Sequence, residues 1–225
     1  MNYHIGTMLI DEHFNASGEC PLCKIRKTVE IRLTEQYLGE GVMEDDTRKE
    51  VNELGFCARH YDLLFSFPSK LGLALQVSTR LKTVVKSVEK PEKAKQAKKI
   101  ADKLDLSAKK CVVCKYLDEH MIRYYKTVAE VYYSKPSFRK RFVEEKGFCL
   151  EHFAALNRYS DCAHSEQKSY LNDLYAVENR YLSALEKDLL SFCDHHDYRR
   201  RDLPLTEGER DCLKTARSAF YGSKR

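Results

Sequence analysis

Residues 111–132, Cys-Val-Val-Cys-Lys-Tyr-Leu-Asp-Glu-His-Met-Ile-Arg-Tyr-Tyr-Lys-Thr-Val-Ala-Glu-Val-Tyr, carry two signals at once. Val113, Leu117, Met121, Tyr125, Val128 and Tyr132 recur every three or four residues, the spacing that lines one face of an α-helix. The stretch opens on a C-x₂-C pair, and residues three apart on a helix share a face, so both thiols can reach one ion. A helix with a thiol pair at its head is therefore the unit from which the rest is read.

The same unit stands earlier in the chain. Cys20-Pro-Leu-Cys23-Lys24 precedes Cys111-Val-Val-Cys114-Lys115 by 91 residues, and Gly55-Phe56-Cys57-Ala58-Arg59-His60 precedes Gly147-Phe148-Cys149-Leu150-Glu151-His152 by 92. Arg32 and Arg123, Val51 and Val143, Glu53 and Glu145, Tyr61 and Phe153, and Leu64 and Leu156 fall in register between and after these anchors. The pattern reads as two copies of C-x₂-C … G-F-C-x₂-H, an internal repeat that organises the fold.

Both copies read as helices throughout. Ile25, Val29, Leu33 and Tyr37 mark a helix ending at Gly39-Glu40-Gly41, and Thr47-x-x-Glu50 reads as a capping box opening a short helix that stops at Leu54-Gly55. A third helix is expected from about Cys57 to Phe67-Pro68, and Leu81, Val84, Val85 and Val88 give a fourth apolar stripe. In the second copy Pro136 suits a first helical turn. Leu171, Leu174, Tyr181, Leu185, Leu189 and Phe192 mark a long helix over 165–193, and Thr206-x-x-Glu209 caps a last one carrying Leu213, Ala216 and Phe220. No stretch alternates with period two. The expected fold is all-α: an internally duplicated helical bundle, each copy stapled by its own Cys₃His site.

Three segments follow from this reading: a first metal-binding repeat over 1–79, a Lys-rich helical connector over 80–110, and a second repeat with long closing helices over 111–225. The connector holds ten lysines and Arg80 against four carboxylates, a net +7, whereas the whole chain is +5. The basic balance belongs to this segment. A solvated helix face accounts for it, and nucleic acid is a possible partner through phosphate contacts, although no aromatic residues interleave with the lysines to stack bases.

Composition sets the class. The chain has 225 residues, 43 % hydrophobic and 32 % charged, with nine Gly and five Pro. That fits a soluble globular protein and excludes collagen-like and low-complexity chains. No apolar run approaches the ~18 residues of a membrane span. The N-terminus lacks a basic n-region and a long apolar h-region, so a cytoplasmic setting is expected.

In that compartment thiols stay reduced, and nine clustered cysteines read as metal ligands before disulfides. The expected ligands are Cys20, Cys23, Cys57 and His60 for one site and Cys111, Cys114, Cys149 and His152 for the other. Cys₃His is a closed tetrahedral set of the structural-zinc type, so two zinc ions per chain are expected, an iron–sulfur cluster with one His ligand being the less favoured alternative. A redox dithiol is the competing reading of a single C-x₂-C, but eight ligand-type residues repeating in register favour metal. Cys162, His164, Cys193, His195, His196 and Cys212 fall outside the repeat, His120 sits on the first helix of the second copy, and His4, Asp11 and His13 form a loose group near the N-terminus. These read as surface or core positions. The tyrosines at helical spacing, such as Tyr124-Tyr125 and Tyr132-Tyr133, read as core and interface.

The twin motifs, CPLC with GFCARH and CVVC with GFCLEH, resemble a bacterial family of unknown function whose members carry paired CPxC…GFCxxH motifs. The resemblance covers nearly the whole chain, with Val112 standing where the family's second motif has Pro. It implies a metal-binding helical protein and assigns no reaction. The resulting expectation is a zinc-binding, non-enzymatic binding or adaptor module with a protein partner. The alternative is a thiol- or metal-based redox sensor or oxidoreductase using the same cysteines.

Overall fold

The structure, a computed structural model, describes residues 5–16, 18–88, 91, 93–195 and 204–222. Among these residues the chain forms helices and no strand, as expected from its periodicity. The helices are α1 (Ile5–His13), α2 (Pro21–Leu38), α3 (Asp45–Leu54), α4 (Ala58–Ser66), α5 (Lys70–Ser87), α6 (Ala94–Ala108), α7 (Val112–Ser134), α8 (Pro136–Glu144), α9 (Leu150–Arg158), α10 (Gln167–Asp194) and α11 (Glu207–Tyr221), with 3-10 turns at Glu40–Val42 and Ser160–Glu166. None is long and apolar enough to cross a membrane.

Two compact units emerge: a central one over 28–120, and a terminal one of residues 1–27 and 121–225. The units divide within α2 and α7.

In the central unit, Val29, Leu33 and Tyr37 of α2 are buried with Val42, Val51, Leu64 and Leu73. Helix α5 passes so close to the end of α2 that a side chain at Gly72 would meet the Leu38 carbonyl at 2.4 Å, and only glycine fits there. Two local expectations need correction. Helix α3 begins at Asp45 with Glu44 as its N-cap residue, and Thr47 donates to the Glu44 carboxylate at 2.8 Å instead of capping a later start. Asp45 and Asp46 in the first turn favour this earlier start through the helix dipole. The stripe on α5 forms as helix, but Leu81, Val85 and Val88 are exposed. What α5 buries is its first half, through Gly72, Leu73 and Gln76, whose side-chain amide donates to the Tyr37 carbonyl at 3.3 Å. The lysines of α6 lie in solvent, consistent with a hydrated helix; Glu89, Lys90 and Glu92 lie outside the described residues.

The terminal unit is built on aromatic rings. Phe14, Tyr132, Phe138, Phe142, Phe148 and Tyr170 are fully buried and pack at centroid separations of 5.1–6.3 Å, tilted or edge-on for the most part. Arg139 covers the end of α7 by donating to the Tyr132 and Tyr133 carbonyls, and Arg180 does the same for the end of α8 through Val143 and Glu145. Along α10 and α11 a second small core gathers Leu185, Cys212, Ala216 and Ala219. Here the capping box forms as expected: Thr206 accepts the Glu209 N–H while Glu209 accepts that of Thr206.

Candidate metal centres

Each motif places its cysteines and histidine at a helix N-terminus. Cys20 and Cys111 immediately precede α2 and α7, with Cys23 and Cys114 in the first turn. Cys57 and Cys149 are the N-cap residues of α4 and α9, with extended backbone, and His60 and His152 follow three positions later.

The motifs combine crosswise. Cys20 and Cys23 gather with Cys149 and His152 in the terminal unit, and Cys57 and His60 with Cys111 and Cys114 in the central unit. The expectation that each repeat closes its own site is therefore corrected, and the same eight cysteines and histidines make up the two groups. Helix length is the physical reason. Helix α2 carries the chain 18 residues from Cys20, about 27 Å at ~1.5 Å per residue, and the ten residues of α3 recover at most about 15 Å. Helix α7, with 23 residues, followed by α8, with nine, falls short by more. The intervening residue count allowed an out-and-back path that the unequal helices do not make.

In the terminal centre, His152 Nδ1 lies 3.4 Å from Cys20 Sγ, 3.4 Å from Cys23 Sγ and 3.2 Å from Cys149 Sγ, and Cys23 and Cys149 are 3.7 Å apart. In the central centre, His60 Nδ1 lies 3.3 Å from each of Cys57, Cys111 and Cys114, with 3.9 Å between Cys57 and Cys114. One ring nitrogen carries one proton or one lone pair, so it cannot hydrogen-bond three thiols at once. Three sulfurs equidistant from one nitrogen are instead the edges of a tetrahedron. With Zn–S of ~2.3 Å and Zn–N of ~2.0–2.1 Å, those edges would be about 3.6 Å for N···S and about 3.8 Å for S···S. The observed separations fit a four-coordinate ion at either site.

Local bonding brings the motifs together. Gly55 ends α3 with φ +67° and ψ −162°, a region essentially reserved for glycine, and its carbonyl accepts the Val112 N–H at 3.0 Å. The departure from Pro at position 112 thus supplies the donor that ties the GFC turn to α7. In the terminal unit a side chain at Gly147 would meet the Tyr181 ring at 2.3 Å, and the Phe148 N–H donates to Glu178 at 3.0 Å. Gly222, just past α11, lies against the sulfurs: a Cβ there would be 3.2 Å from Cys23 Sγ.

The thiols and the imidazole of each set perturb one another's pKa values. Burial lowers the histidine pKa values, but the neighbouring thiols outweigh it: Cys111, with Glu30, raises His60 to about 10, and Cys149 and Cys23 raise His152 to about 9. Burial pushes Cys114 up to about 12, whereas Cys111, despite burial, is drawn down to about 6 by His60 and by backbone donors. Cys23 is held far below the ordinary thiol range by Cys149 and Cys20, and Cys20 is driven up by burial. A cation entering either set would displace imidazole and thiol protons.

A family model matches residues 1–223. The chain belongs to DUF6062, a family of unknown function. The DUF6062 match takes in both centres and the helices that carry them. Neither the curated proteins nor the solved structures give a match.

Sequence reading missed the residues behind the ligands. Glu30 is buried, accepts from His60 Nε2 at 2.7 Å and pairs with Arg59 at 2.6 Å. Its signal was an acid two helical turns beyond Cys23, on the side of α2 that also carries apolar residues. Among the described residues Cys162 and Cys193 take no part in a metal-type group, and Cys212 is buried with its Sγ directed to the Glu209 carbonyl. His164 stacks edge-on against Tyr133, and His195 contacts Ser191 and Glu209. Asp11 pairs with Arg141. His4 and His196 lie outside the described residues.

Proposed function

We propose that this chain is a zinc-binding helical protein in which each compact unit is stapled by one Cys₃His centre, and that it acts as a non-enzymatic binding module. The observation that carries this reading is the convergence of three sulfurs on one imidazole nitrogen, at 3.2–3.4 Å, twice over. Four protein ligands leave no coordination position for water or substrate, the mark of a structural and not a catalytic site. Three thiolates and an imidazole in tetrahedral arrangement suit zinc. When bound, the ion supplies charge compensation for the thiolates. The chain's own residues do the rest: paired helix N-termini present the sulfurs, and Glu30 orients His60. Leu71, Leu75, Leu81, Val85 and Val88 leave an apolar face of α5 exposed, which supports a protein partner.

Elemental analysis of the purified chain tests the metal reading, with two zinc per chain expected. Neither zinc nor iron, with all thiols freely titratable, overturns it. Mild peroxide separates a structural from a redox role. Metal content and thiol count stay constant in the first case, and fall together and reversibly in the second.

A further inference from the structure

We infer that the two centres are unequal: the terminal centre of Cys20, Cys23, Cys149 and His152 is the exchangeable one, and the central centre is the permanent staple. The inference rests on the metal reading above and deepens it.

A histidine that binds metal through Nδ1 keeps an N–H on Nε2, and a carboxylate or carbonyl behind that N–H orients the ring and strengthens its donation to the ion. His60 has such a partner in Glu30 at 2.7 Å, itself held by Arg59. His152 is buried to the same degree, 1 % exposed, yet its Nε2 has no hydrogen-bond partner among the described residues. Its ring neighbour is Tyr125, at 5.9 Å between centroids. The sequence supplies the cause. The 91-residue offset between the C-x₂-C pairs carries Glu30 onto Met121, and the 92-residue offset of the GFC motifs carries Arg59 onto Glu151. Neither the acid nor the guanidinium that anchors it exists in the terminal unit's register.

Access differs from affinity but points to the same centre. Cys20, Cys23 and Cys149 line a cavity of about 180 Å³ together with Tyr181, Lys214 and Ser218. The terminal centre therefore borders a cavity on the side of its three cysteines. Exposure of the cysteines by itself argues the other way, since Cys57 and Cys114 are partly exposed in the central centre and only Cys20 is in the terminal one. An equilibrium measurement separates the two arguments.

The full chain loaded with two zinc ions is titrated to equilibrium with EDTA, and at each step free thiols are alkylated with iodoacetamide and mapped by mass spectrometry. The first zinc is expected to leave at a chelator concentration 10–100-fold below the second, the range by which such outer partners alter metal affinity. Cys20, Cys23 and Cys149 should then be modified while Cys57, Cys111 and Cys114 stay protected. Glu30→Gln should move the second loss toward the first. Simultaneous loss of both ions, or earlier modification of Cys57, Cys111 and Cys114, overturns the inequality and leaves the metal reading intact. A chain that takes up no zinc overturns both. The order of alkylation in the unsubstituted chain decides the matter even if Glu30→Gln does not fold.

Discussion

The Gly55 carbonyl accepts the Val112 N–H at 3.0 Å, so the turn that ends α3 is bonded to the first residue of α7 across 57 positions of sequence. That single bond sets the head of α7, with Cys111 and Cys114, beside Cys57 and His60. Gly55 reaches it only through a backbone conformation closed to other residues. Gly55→Ala should cost about 1–3 kcal/mol, the range for strain of this kind, and weaken zinc retention in the central centre. Thermal melting of the zinc-loaded variant checks it, and an unchanged midpoint would refute the role given to the turn.

Crosswise pairing makes a stoichiometric prediction. Cys20→Ser with Cys149→Ser removes ligands from one centre, so the double variant should retain one zinc. Cys20→Ser with Cys57→Ser damages both and should retain none with full affinity. Pairing within each repeat requires the reverse, and metal analysis of the two double variants distinguishes them.

Glu178 gives the terminal unit a pH dependence. Burial pushes its carboxyl up to about 7 from the ordinary 4.5, partly offset by the Phe148 N–H. In the unfolded chain the proton leaves near 4.5, so between about 4.5 and 7 the folded state binds more protons and stability falls as pH rises. Glu178→Gln removes this loss. Denaturant melts should agree closely near pH 5 and show the variant more stable near pH 8, on the order of 1–3 kcal/mol. A gap that does not grow with pH would exclude the mechanism.

The cysteines outside the centres should separate by burial. Cys212 is 1 % exposed in the small core of α10 and α11, and Cys193 is exposed. Cys212→Ser should cost about 1 kcal/mol, because a hydroxyl replaces a thiol among apolar neighbours. Cys193→Ser should stay within about 0.5 kcal/mol. Melting midpoints of the two variants at neutral pH decide it, and equal values would count against the packing role of Cys212.

The sequence by itself determined the helical class, the approximate helices and the eight ligand-type residues. These follow from spacing along the chain: apolar positions every three or four residues, thiols and imidazoles three apart, and glycines at the ends of elements. Thr206-x-x-Glu209 and Pro136 were legible for the same reason, since a cap and a first turn are local chemistry. What the tertiary structure alone decided is which motif meets which. Cys20 could as well have met Cys57 as Cys149, because both partners offer the same atoms at the same spacing. The choice depends on the three-dimensional path, where α2 and α7 run further than α3 and α8 return. Glu30 escaped the sequence reading for a related reason. An acid on a helix looks like surface until the fold brings a buried imidazole N–H to within 2.7 Å of it.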